Sequence, residues 1–154
     1  MDYQVRAARI TDIDRLVALC GSALGSSDGD GPLVAPDLLR QLVYLPQASV
    51  LVAELRRAVI GAAILALRPS VRAGGFVGTI DLLVCDPRHD VEAVADSLVE
   101  EVLRSARNKG CTCVEVARPD DPSEQARWDR RGFRDAGLML ERPVVAGRTG
   151  AGRT

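Results

Sequence analysis

Lysine is almost absent from this 154-residue chain: Lys109 is the single lysine among 20 basic residues. The arginines that make up the rest are spread along the chain, as a GC-rich coding sequence would spread them, rather than gathered into an anion clamp. Charge of one sign is also lacking, because 21 acidic residues bring the net charge to −1. No broad cationic field is left to attract a phosphate backbone. Aromatic residues amount to 3% (Tyr3, Tyr44, Phe76, Trp128 and Phe133), too few for a platform on which bases would stack. Together these exclude nucleic acid as an expected partner. No apolar run approaches the ~18 residues of a membrane span, and the opening MDYQVRAARITD carries acids where a signal peptide would be apolar. The expectation is a cytoplasmic protein with no membrane partner. Histidine occurs once, at His89, and with Cys111-Thr-Cys113 it falls short of the four-ligand spacings of structural zinc, so no metal is expected. The four cysteines, Cys20, Cys85, Cys111 and Cys113, are expected to be free thiols.

What is present is an ordinary globular composition, 47% hydrophobic and 27% charged. It predicts a single domain over residues 1–144, followed by a flexible tail over 145–154 that lacks core residues. Residues 3–8 alternate in polarity like a strand. Thr11-Asp-Ile-Asp14 resembles a helix N-cap with an acid three residues on, and Ile13, Leu16, Val17 and Cys20 then trace one helical face. The stretch from Gly21 to Pro36 contains Gly-Ser-Ser-Asp-Gly-Asp-Gly and reads as a polar loop, after which Pro36-Asp37 opens a short helix through Leu42. Ser49–Leu55 and Ala58–Leu67 read as a hairpin around Arg56-Arg57, Arg68–Gly75 as a loop, and Phe76–Cys85 as a third strand that stops at Asp86-Pro87. From Val91 the period changes, and Val91, Val94, Ala95, Leu98, Val99, Val102, Leu103 and Ala106 form a stripe that Lys109-Gly110 ends. Cys111–Ala117 is strand-like, Ser123–Arg131 a short helix and Leu138–Val144 a last strand.

The order β-α-α-β-β-β-α-β-α-β predicts an α/β (α+β) mixed sheet with helices on both faces, since a doubly wound fold would alternate strictly. Its central parallel pair is expected to be Phe76–Cys85 with Cys111–Ala117, joined through the long helix by a right-handed crossover.

Four pieces in this order resemble the GNAT superfamily of acyl-CoA-dependent N-acetyltransferases: VRAARITDIDRLVAL; the hairpin with Ala-Val-Ile-Gly61; GTIDLLVCDP with the long helix and Lys-Gly-Cys111; and Trp128-Asp-Arg-Arg-Gly-Phe133. The likeness runs from about Val5 to Val144. It implies acetyl-CoA as co-substrate, met by backbone groups near Leu83, Val84 and Cys85. It further implies a diphosphate loop at Asp90-Val91-Glu92-Ala93-Val94-Ala95, where N–H groups at a helix N-terminus hold phosphate. Of the family's Arg/Gln-x-x-Gly-x-Gly/Ala pattern only Ala95 matches; Asp90 replaces the cation, Ala93 a glycine, and Val91 stands where glycine is common. Asp86, Asp90 and Glu92 against Arg88 give this loop a count of −2, and Asp90 can also be read simply as the helix N-cap.

The resemblance also implies Asp81 as base, places Trp128 where the family's general acid, a tyrosine, stands, and puts acceptor loops around Asp28, Asp30 and Arg72. Indole donates a hydrogen bond but does not titrate. Two readings stay open. One is an N-acyltransferase moving an acetyl group to a small-molecule or protein amine. The other is a GNAT-fold protein without cofactor chemistry that acts as a binding or regulatory partner. A homodimer is an open option for either.

Overall fold

The structure, a computed structural model, describes residues 3–24, 35–137, 140 and 142. Strands β1 (Gln4–Ala7), β2 (Ala48–Leu55), β3 (Ala58–Ser70), β4 (Gly75–Cys85) and β5 (Cys111–Val116) form one sheet in that order. The first three pairings are antiparallel, and β5 lies parallel to β4 as expected. Helices α1 (Ile13–Leu24) and α2 (Ala35–Tyr44) precede β2, α3 (Val91–Asn108) crosses from β4 to β5, and α4 (Pro122–Arg130) follows β5.

The sheet is a mixed one with helices on both faces. Ile13, Leu16 and Leu19 of α1 and Leu39 of α2 meet Val50, Val52, Ala62, Ile64 and Val84 on one side. On the other, Val94, Leu98, Val102 and Ala106 of α3 meet Ala53, Ile60, Ala63, Leu65 and Ile80. Each fully buried aliphatic side chain stabilises by roughly 1.5–3 kcal/mol, so the α3 stripe is the chief reason that helix sits where it does. Small residues on β3, Gly61-Ala62-Ala63, let helices approach the central strand from both sides, and all three are buried. Among the described residues no helix is long and apolar enough to cross a membrane.

Several boundaries differ from the sequence expectations. The stretch 68–75 is not a free loop: β3 continues through Ser70, opposite Gly75, so only Val71–Gly74 turn. The cap of α1 is also displaced. A 3-10 turn over Ile10–Asp12 precedes it, and Asp12 rather than Thr11 closes the entry, its Oδ2 accepting the Arg9 N–H at 2.7 Å. Arg6 on β1 reaches the same carboxylate at 2.8 and 3.0 Å and holds it below the usual carboxylate range. That cross-element partner is invisible to a local capping rule. Helix α2 runs to Tyr44, two residues past Leu42. The Arg56-Arg57 turn is present, with both residues left-handed (φ 51° and 67°), the geometry of a two-residue hairpin turn. The strand expected over 138–144 lies outside the described residues except for Leu140 and Arg142, neither of which is in a strand, and the tail over 145–154 lies wholly outside them.

Candidate functional site

A bulge in β4 creates the site. Leu82 faces Ile64 and Ile80 faces Leu65 across the β3–β4 ladder, so Asp81 is an extra residue with no partner on β3. One inserted residue reverses the alternation of side chains. Ile80 therefore packs under α3, and so do Leu83 and Cys85, while Leu82 and Val84 turn to the α1–α2 side. Asp81 itself is exposed. At the same place β5 departs. Its last pairing is Val116 with Ile80, and from Asp81 onward no described strand lies on that edge of β4. Backbone groups along this edge are open to a cleft of about 320 Å³, lined by β4, the start of α3, the end of β5 and α4.

The start of α3 forms one wall. Asp90 is the N-cap, and its carboxylate accepts the Ala93 N–H at 3.2 Å. Just before it, Asp86 is buried and fully engaged. Its two oxygens accept from Arg88 (backbone N 3.0 Å, Nε 3.1 Å, Nη2 2.8 Å) and from Arg15 Nη2 of α1 at 2.8 Å. The Arg88 guanidinium above all, with the Arg88 N–H and Arg15, holds the Asp86 carboxyl well below the usual range. Cys85 is half-buried beside the cleft, and burial pushes its thiol up to about 11, so at neutral pH it is a protonated packing group rather than a nucleophile.

The opposite wall is α4. Asp121 caps it, accepting the Ser123 N–H at 2.9 Å. At its other end Gly132 is left-handed (φ 89°); its N–H bonds the Asp129 carbonyl at 3.0 Å, and the Phe133 N–H bonds the Trp128 carbonyl at 3.1 Å. This is a Schellman ending, which brings together the side chains that flank the last turn. Trp128 and Phe133 accordingly meet edge-on, ring centroids 4.9 Å apart at 79°. The spacing Trp-x-x-x-Gly-Phe is thus a helix stop that fixes Trp128 against the cleft.

Arginines of α4 tie it to α3. Arg127 Nε donates to Glu92 at 2.6 Å and also pairs with Glu124, Arg131 Nε donates to Asp96 at 2.8 Å, and the Arg131 guanidinium lies 4.7 Å from the Trp128 ring centroid. Glu92 holds the Arg127 guanidinium more firmly charged than usual.

Asp81, Leu83, Cys85, Val91, Glu92, Ala95 and Trp128 converge on the one cleft. Val84 and Val94 are buried in the core, Asp90 is spent on the cap, and Ala93 supplies the N–H that it accepts. Arg72 is exposed in the Val71–Gly74 turn and does not line the cleft, and Asp28 and Asp30 lie outside the described residues. Glu124, Arg127 and Arg131 are lining residues that the sequence reading missed. Glu92/Asp96 form an acidic i, i+4 pair and Arg127/Arg131 a basic one, a matched spacing that no local rule connects across 35 residues. The count of −2 for the loop therefore omitted Arg15 and the α4 arginines, which neutralise it in space. Among the described residues no group of three His, Cys, Asp or Glu is placed to hold a metal.

A family model described as acetyltransferase (GNAT) family matches residues 18–133. No curated protein sequence matches the chain. Many solved structures share the fold. A Trypanosoma brucei acetyltransferase is 20% identical, covers 93% of this chain and all of its own (100%), and superposes with a TM-score of 0.74. The glucosamine-6-phosphate N-acetyltransferase of Arabidopsis thaliana is 15% identical over 94% of this chain and 100% of its own, at 0.74. The ribosomal-protein-alanine N-acetyltransferase of Brucella melitensis is 15% identical over 95% and 100%, at 0.70.

Proposed function

Because the chain belongs to the GNAT acetyltransferase family, we propose that it transfers an acetyl group from acetyl-CoA to an amine of a small molecule or a protein, in the cleft where β4 and β5 part. The observation that carries this reading is the open edge of β4, with Asp81 exposed at its bulge and Trp128 facing it from α4. The residues suit the cofactor. Backbone groups along β4 from Asp81 have no β5 partner and can meet a carbonyl, Leu83 and Cys85 offer an apolar floor, and the first turn of α3 borders the cleft through Val91 and Glu92. When bound, acetyl-CoA supplies an activated acyl group. Asp81 is the group placed to accept the proton of an ammonium acceptor, and Trp128 positions and shields without giving a proton. Similar folds include an enzyme named for an amino sugar phosphate and one named for a ribosomal protein, so both acceptor classes belong to the proposal.

One observation favours the second reading, a binding or regulatory protein: Asp90 already occupies the Ala93 N–H that a diphosphate would use. A single assay separates the two. Release of free CoA is followed with acetyl-CoA and a panel of primary amines. The transferase reading expects turnover that falls about 100-fold or more in Asp81→Asn and persists in Trp128→Tyr. Absence of turnover with every amine, together with no CoA binding by calorimetry, supports the binding protein and overturns the enzyme.

A further inference from the structure

Arg131 stands at the C-cap of α4, the end of a helix where the dipole favours a cation. Its side chain is only 11% exposed, yet it borders the cleft. Two contacts hold the guanidinium: Nε donates to Asp96 of α3 at 2.8 Å, and its central carbon lies 4.7 Å from the Trp128 ring centroid, a cation–π distance. Its Nη groups have no acceptor among the described residues. The charge reaches the edge of β4, where it acts on the Cys85 thiol and opposes the rise that burial imposes. Asp96 is 62% exposed, so water screens it more than it screens the guanidinium. The other charged groups of the cleft are occupied or stand elsewhere. Arg127 is shared between Glu92 and Glu124, Asp81 is exposed at the bulge, and the end of β5 brings only Val116 and Ala117.

A thioester that yields its acyl group must leave a sulfur behind. From a neutral amine, the nitrogen lone pair bonds the carbonyl carbon, the carbon–sulfur bond breaks with its electron pair on sulfur, and one N–H proton goes to Asp81. Trp128 has no proton to give that sulfur. We propose that Arg131 is a further catalytic group, which meets the departing sulfur and holds it as a thiolate by charge, water returning a proton after release. The inference rests on the cleft being an acyl-CoA site. A guanidinium suits this task because it stays charged when buried, and a fixed charge in a partly enclosed cleft stabilises charge as it develops. Trp128 then acts through Arg131, stacking on the cation and keeping it at the cleft.

Calorimetry on the full chain with CoA and desulfo-CoA, which lacks the thiol, tests this without turnover. Wild type is expected to hold the bound thiol about tenfold more ionised than a free thiol of pKa ~8.5, so CoA gains severalfold over desulfo-CoA between about pH 6 and about pH 9. Carboxylates and guanidinium groups ordinarily titrate outside this range, Cys85 at about 11 stays protonated, and any other titration enters both ligands alike. Arg131→Gln is expected to abolish the gain while desulfo-CoA binds as before, and Arg131→Lys to keep part of it. Asp96→Asn, an exposed change that leaves the guanidinium in place, is expected to enlarge the gain, and it serves even where Arg131→Gln does not fold. A CoA to desulfo-CoA ratio that is flat with pH in wild type, or unchanged in Arg131→Gln or Asp96→Asn, overturns the thiolate role and leaves the transferase reading standing. An equal loss of both ligands in Arg131→Gln assigns the cation to another part of the carrier and overturns the role as well. Failure of wild type to bind either ligand overturns the transferase reading, and this inference with it.

Discussion

Adding one methyl group at Gly61 tests how α3 is seated. A Cβ built there would lie 2.8 Å from Val94 Cγ1, 3.1 Å from the Val84 carbonyl oxygen and 3.2 Å from Leu98 Cδ1. None of the three gives way easily. Val94 is β-branched and restricted to one main rotamer in a helix, Val94 and Leu98 are both 0% exposed, and the carbonyl belongs to the β4 backbone. Overpacking of this kind costs about 1–3 kcal/mol, while replacing glycine in a strand returns roughly 0.5–1 kcal/mol. Gly61→Ala should therefore lower the unfolding free energy by about 1–2 kcal/mol, read from urea titrations followed by far-UV circular dichroism. Gly21→Ala is the control of opposite sign: in α1 its Cβ would meet nothing within 4 Å, so helix propensity alone should stabilise by about 0.5–1 kcal/mol. In a double-mutant cycle, Val94→Ala removes the nearest obstacle and should recover about 1 kcal/mol of the Gly61→Ala loss as coupling. A Gly61→Ala protein as stable as wild type, or a coupling near zero, would refute the account of helix seating.

Two further outcomes follow from the electrostatics and the turn. Asp86 has a folded pKa depressed by Arg88 and Arg15, so its stabilisation is present above the unfolded value near ~3.9 and is lost as pH falls below it. Asp86→Asn should be less stable than wild type near neutrality, with the gap closing in acid; urea midpoints that differ by a constant amount from about pH 7 to pH 3 would contradict this. Arg56 and Arg57 both sit in left-handed backbone that costs an ordinary residue roughly 1 kcal/mol, so Arg56→Asn with Arg57→Gly should raise stability by about 1 kcal/mol or more in the same titration.

The long helix and the hairpin were legible in the sequence because their signals are local: a stripe repeating every third or fourth residue, and two apolar runs around a charged pair. The parallel pairing of β4 with β5 followed from chain order and handedness. Three features were not legible. The bulge at Asp81 arises from the register between two strands, and within TIDLLVC nothing marks which residue will be skipped. Asp12 is selected over Thr11 at the α1 entry because Arg6, two elements away, reaches it. The Glu92–Arg127 and Asp96–Arg131 pairs join residues 35 apart in sequence, so a charge count confined to one loop assigned it the wrong balance.

A strand normally commits each residue to one of two surfaces, and a change of residue type is then judged by the neighbours on that surface. Asp81 is committed to neither, because it is the residue that the β3–β4 register passes over. Substitution there can vary in size and charge without disturbing the packing under α1 or under α3. Deletion would close the ladder rather than shift it: Ile80 and Leu82 would become chain neighbours, opposite Leu65 and Ile64 as they are now, and Leu82 through Cys85 would keep their faces. The cleft thus carries its exposed carboxylate on the one residue of β4 that the β3 ladder does not use, so the chemistry at this point and the packing of the sheet are set independently.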